Sequence, residues 1–135
     1  MHTKTIVVKW MKEINKPTEG EIAILNVLWE KGEASVRTVF EEISLTKESG
    51  YTTTLKLMQI MLEKGLVTRD DSARTHIYKA AVNREKTQKQ IVHKMIAGLF
   101  AGSSAQLVMQ ALGDQTPDEN ELAEIESYIK QLKSK

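Results

Sequence analysis

Cysteine is absent from the 135-residue chain. A disulfide framework, a Cys-ligated zinc or iron centre and a thiol nucleophile or redox switch are thereby excluded, and a reducing, cytoplasmic setting is expected. Aromatic residues make up only 5% of the chain, which leaves few rings for a base-stacking surface, so methionine and leucine must fill the core. Catalytic signatures are missing too. His2, His76 and His93 are far apart in sequence, and no His-x-x-x-His spacing, glycine-rich phosphate loop or nucleophile elbow occurs. The paired carboxylates Asp70 and Asp71 fall in a turn without an acid–base partner nearby. Neither catalysis nor a cofactor or metal site is expected.

A charge of one sign is also lacking, because 19 Lys and Arg face 18 Asp and Glu for a formal net charge of +1. The total conceals an asymmetry: residues 1–91 hold 15 basic and 12 acidic side chains (+3), and residues 92–135 hold 4 and 6 (−2). Two parts of opposite sign point to two roles. Met1 to Lys16 is broken by lysines and has no apolar run of signal-peptide length, so export is not expected. Met95 to Gly113 is nineteen residues without a charge and contains a Gly98-x-x-x-Gly102 pair. Ser103, Ser104, Gln106 and Gln110 in its middle would go unsatisfied in lipid, so it reads as two short buried helices joined near Gly102, with no membrane insertion.

The helix signals are clear. Thr18 and Glu21 form a capping box ahead of Ile22, Ile24, Leu25, Leu28 and Trp29, and Gly32 supplies the stop. Ser35 caps a second helix with Val36, Val39, Phe40 and Ile43 on one face. A third runs from about Thr52 to Lys64 before Gly65; its buried face is either Leu57, Met58 and Met61 or Leu55, Met58 and Leu62. Leu66 to Arg69 and Arg74 to Lys79 then alternate with period two around Asp70-Asp71-Ser72-Ala73, a β-hairpin. Everything beyond is helical: Asn83 caps a stripe of Ile91, Val92, Met95, Ile96, Leu99 and Phe100, and Ser103 or Ser104 caps a short helix with Leu107, Val108, Ala111 and Leu112. Thr116-Pro117-Asp118-Glu119 is a second capping box, with Thr116 as cap and Pro117 at the first helical position, and it opens a last helix with Leu122, Ile125, Ile129 and Leu132 at spacings of three, four and three.

This order predicts a mainly α fold with a small β-hairpin, a winged helix-turn-helix followed by an all-α tail. Residues 1–82 form the expected DNA-binding domain and residues 83–135 the expected dimerisation domain. The apolar tail needs a covering surface, and an identical tail in a two-fold homodimer is preferred over folding back on its own N-terminal domain.

The chain resembles the penicillinase and methicillin-resistance repressor family of bacterial winged-helix regulators. The resemblance is carried by Pro17 to Trp29, Ser35-Val36-Arg37, Tyr51 to Lys56 with Glu63 to Val67, Arg74-x-His76-x-Tyr78, and Phe100 to Ser104 with Leu107-Val108. It implies a homodimeric transcriptional repressor binding inverted-repeat operators, relieved in some members when a membrane-bound sensor metalloprotease leads to cleavage in the dimerisation region before a phenylalanine. Phe100 occupies that position, but Leu99 stands where the family's cleaved bond has asparagine. The cysteines of the copper-responsive branch are absent.

If Thr54, Leu57, Met58 and Met61 face inward, as the resemblance implies, then Thr52, Lys56 and Gln59 lie on the opposite side of the third helix, with Thr53 at its margin. Their hydroxyl, ammonium and amide groups suit base edges and phosphates of double-stranded DNA. The bland alternative is a capping threonine and a solvated lysine. On the hairpin, Arg69, Arg74, His76 and Lys79 can neutralise phosphates or reach the adjacent minor groove, Arg74 foremost, with an ion pair to Asp70 or Asp71 as its competing role. His76 reads as an ordinary strand residue. The alternative function is a winged-helix protein–protein interaction module, which would show exposed aromatics on the third helix.

Overall fold

The computed structural model describes residues 17–135, so the reading of Met1 to Lys16 lies outside the described residues. Two compact units divide at Lys89 and Gln90.

The first unit begins with α1 (Glu19–Lys31), and its capping box is complete: Thr18 Oγ1 accepts from the Glu21 amide at 3.3 Å, and Glu21 Oε1 accepts from the Thr18 amide at 2.8 Å. Gly32, at φ +85°, ends the helix, and its amide bonds Leu28 O. Ser35 caps α2 (Val36–Ser44) by accepting from the Thr38 amide. α3 (Tyr51–Lys64) closes on Gly65, whose left-handed φ of +80° would strain any other residue. β1 (Val67–Asp70) and β2 (Ile77–Ala80) pair antiparallel, with Val67 opposite Ala80 and Asp70 opposite Ile77. Ala34 adds a short third rung, exchanging bonds of 3.0 and 2.8 Å with Tyr78. That rung fixes the start of α2 against the hairpin, and the whole is a winged helix-turn-helix.

Ile24, Leu25 and Leu28 of α1, Val39 of α2, Met58 and Met61 of α3 and Tyr78 of β2 form the buried core. Both faces offered for α3 are partly used. Thr54, Met58 and Met61 are buried, while Leu55, Leu57 and Leu62 are half-buried on its flanks, because α3 packs against α1, α2 and β1 at once. The first unit also runs past residue 82. Trp29 Nε1 donates to Val82 O at 2.9 Å, the Arg84 guanidinium lies 5.6 Å from the Trp29 ring centre, and Thr87 is buried.

α4 (Arg84–Gly98), capped by Asn83 through the Lys86 amide, leads into the second unit, which holds α5 (Ser104–Asp114) and α6 (Glu119–Lys133). The chain turns between α4 and α5 through Ala101 and Gly102, at φ +48° and +87°, and Ser103 caps α5. The uncharged stretch is therefore two helices, as expected, with Leu99 and Phe100 in the connection. They are not buried, however: no residue of α5 or α6 is, because three short helices do not enclose a core in one chain. At α6 the cap is Asp118, which accepts from the Glu121 amide at 2.9 Å; Thr116 does not cap, and Pro117 precedes the cap. Asp118 and Glu121 repeat the capping spacing two residues later, and aspartate caps at least as well as threonine.

The buried carboxylate of Glu21 also accepts from Lys64 Nζ at 2.8 Å, joining the start of α1 to the end of α3. Burial by itself raises its pKa, but the hydrogen bonds from Lys64 and the Thr18 amide outweigh it and hold the carboxyl below its ordinary 4.5. Its contribution to stability is then present above that ordinary value and lost as pH falls through the lower folded one. Glu21→Gln is expected to destabilise the protein by about 1–3 kcal/mol at neutral pH, and by progressively less in acid. Urea denaturation monitored by circular dichroism across pH checks both; equal midpoints at neutral pH would refute the role given to the pair.

Candidate nucleic-acid interface

The outer side of α3 carries Thr52, Thr53, Lys56 and Gln59, all exposed, with Ile60 and Glu63 beyond them. The cap of this helix is Gly50, which offers no side-chain bond, so neither Thr52 nor Thr53 is the cap. Thr54 is the buried member of the run and reaches back toward Gly50 O.

Beside this face lies an open groove of about 700 Å³ between the start of α2, α3 and the hairpin, lined among others by Arg37, Tyr51, Gln59, Arg69, Arg74 and His76. Its cations are not equivalent. Arg69, half-buried, is bound to Asp71 by contacts of 2.6 and 3.2 Å. The same carboxylate lies 3.6 Å from His76 Nδ1. Arg69 thus takes up the aspartate that competed for Arg74, and Arg74 is exposed with no ion-pair partner among the described residues. Asp70 is engaged locally, its carboxyl held below the ordinary range by the Ser72 hydroxyl and amide. Because β2 begins only at Ile77, Arg74 and His76 belong to the connecting loop, the wing itself.

Sequence reasoning assigned no role to Arg37. Its guanidinium stands 5.4 Å from the Tyr51 ring centre. The available signal was the Ser35-Val36-Arg37 opening of α2, but only the fold brings it opposite the first residue of α3.

Within residues 17–89 the basic and acidic side chains number 11 each, and the entire +3 excess comes from four lysines and one glutamate in residues 1–16. The winged unit so described is neutral, and its polarity is a matter of placement. Among the described residues no cluster of His, Asp or Glu could hold a metal ion, and no helix is long and apolar enough to cross a membrane.

The model of the family described as penicillinase repressor matches residues 17–131. The chain belongs to the penicillinase repressor family. The family match begins at Pro17 and runs through the winged unit and nearly to the end of α6. Methicillin resistance regulatory protein MecI of Staphylococcus aureus is 23% identical over 116 residues, covering 83% of this chain and 91% of MecI. Transcriptional regulator BlaI of Mycobacterium tuberculosis is 28% identical over 97 residues, covering 71% of this chain and 64% of BlaI. The solution structure of the DNA binding domain of the repressor BlaI superposes with a TM-score of 0.48 at 18% identity, over 53% of this chain and 87% of that one. The family is one of transcriptional repressors, not enzymes.

The two threonines at the helix starts should behave differently. Thr18→Ala removes a cap and is expected to cost about 1 kcal/mol, whereas Thr53→Ala should stay within about 0.5 kcal/mol of the parent. Thermal unfolding of the two variants checks this; a large loss at Thr53 would mean that its hydroxyl serves the fold.

Proposed function

We propose that the protein is a transcriptional repressor that binds an inverted-repeat operator in double-stranded DNA as a homodimer in the cytoplasm. The observation that carries this reading is the gathering of Thr52, Thr53, Lys56 and Gln59 on the exposed side of α3, next to a wing whose Arg74 is unpaired among the described residues. The helix is sized for the major groove; its side chains meet base edges there while Arg74 meets phosphate. Arg69 has a lesser part, because any phosphate contact it makes competes with Asp71.

Dimerisation is assigned to the second unit. Leu122 and Ile125 are half-buried, and Ile129 and Leu132 remain 43% and 53% exposed, as do Val108 and Met109 of α5 at 45% and 67%. Such a run of uncovered apolar side chains at helical spacing fits a second copy of the same helices. Relief is assigned to this unit as well, by proteolysis or another signal. The bond between Leu99 and Phe100 lies between two helices, and Leu99 is 77% exposed, which suits attack by a protease such as a membrane sensor metalloprotease. The protein-interaction alternative draws on the exposed Tyr51 and Ile60 of α3.

In gel-shift or fluorescence-anisotropy titrations, Lys56→Ala should lose about 1–3 kcal/mol on a duplex selected from a random pool and less on random DNA. Arg74→Ala should weaken both equally and lower the salt slope by about one per protomer. Absence of duplex binding at low salt would shift the reading to a protein partner. In sedimentation, Ile125→Asp with Ile129→Asp should convert a dimer to a monomer; an unchanged dimer would remove these residues from the interface.

A further inference from the structure

We propose that Arg37, at the start of α2, binds DNA phosphate from the groove between α3 and the wing, and that the ring of Tyr51 positions it there. The proposal rests on the DNA-binding reading of α3 and the wing and adds a third element to that surface.

The geometry supplies both an exposed donor and a mount. The Arg37 side chain is 70% exposed and lies 5.4 Å from the Tyr51 ring centre. At that distance the ring attracts the cation through its quadrupole without taking up its N–H donors, which stay available to grip a phosphate. Tyr51 is itself held, by the edge-to-face contact of Phe40 at 5.7 Å and 81°. The base of α2 is fixed by the Ser35 cap and by the rung between Ala34 and Tyr78. Arg37 therefore projects from a pinned helix end into the groove that Gln59 and Arg74 also line.

Its present partner is weak. Glu41 Oε1 is 3.9 Å from Arg37 Nη1, and the two side chains are 63% and 70% exposed. A solvated pair one helical turn apart contributes little and exchanges readily for a phosphate of concentrated charge. Arg69, in the same groove, shows the contrast: at 2.6 Å from Asp71 and 28% exposed, it is committed. With Glu41 lining the groove and Asp71 bound to Arg69, the groove's arginines that are open to a phosphate are Arg74, which has no ion pair among the described residues, and Arg37, whose pair is loose.

The test titrates the full-length protein with a random-sequence duplex and with a duplex selected from a random pool, across a range of salt. Arg37→Ala should weaken both complexes by the same factor and reduce the slope of log affinity against log salt by about one per protomer. Tyr51→Leu keeps the charge and should weaken binding with the slope of the parent. Arg37→Lys should also keep the slope but bind less well than the parent, since it lacks the forked guanidinium donors, and Glu41→Gln should bind more tightly. Thermal unfolding establishes that each variant is folded, and Arg74→Ala serves as the reference. If Arg37→Ala keeps the affinity and slope of the parent while Arg74→Ala lowers both, the role of Arg37 is refuted and the DNA-binding reading stands. A loss confined to the selected duplex would make Arg37 a base reader and overturn the phosphate assignment. If Tyr51→Leu matches the parent, the positioning role of the ring falls. If the parent binds neither duplex, this proposal and the reading beneath it fail together.

Discussion

One oxygen atom fixes the face that the winged unit presents. Glu21 Oε1 accepts the Thr18 amide and Lys64 Nζ, each at 2.8 Å, on a side chain that is almost wholly buried. A carboxylate in that position is tolerable only with donors, and the two it has come from the cap of α1 and the last residue of α3. The start of α1 is thereby tied to the last residue of α3, and rotation of α3 about its axis would break the tie. Gly20, one residue earlier, reinforces the fit: a Cβ there would meet Leu57 Cδ1 at 3.3 Å. With Met58 and Met61 buried and Leu57 against α1, the outer side of α3 is left to Thr52, Thr53, Lys56 and Gln59.

What that face can do is decided by pairing more than by net charge. The described winged unit holds as many acids as bases, so the sum along the chain is uninformative about its partner. Arg69 is neutralised by Asp71, and Lys64 by Glu21. Arg74 has no such partner among the described residues, and Arg37 has a loose one. Charges that remain uncompensated are the ones a polyanion can recruit, and here both line the groove that runs beside α3.

Much of this was legible in the sequence, because local rules set it. Thr18 with Glu21, Ser35, Gly32 and Gly65 marked helix ends by side-chain bonds and backbone φ, and each works as its chemistry implies. Illegible were the features that depend on residues far apart. The buried face of α3 could not be chosen from its wheel, since neighbours on three sides use both candidate stripes. The rung between Ala34 and Tyr78, and the cation–π contact of Arg37 with Tyr51, join elements whose proximity no periodicity announces. Thr116 and Asp118 offer overlapping capping signals that only the backbone separates, and composition does not say whether the apolar stretch from Met95 to Gly113 is covered.

The two units thus differ in self-sufficiency. The first closes its own core, and the second leaves Val108, Met109, Ile129 and Leu132 uncovered, a contrast that supports the proposed division into recognition and association. Hydrogen–deuterium exchange of the full-length protein with and without duplex DNA tests that division most directly. The account predicts slowed exchange in the first half of α3, in the loop between β1 and β2 and at the start of α2, with α6 unchanged by DNA; slowing confined to α5 and α6, or none anywhere, would contradict it.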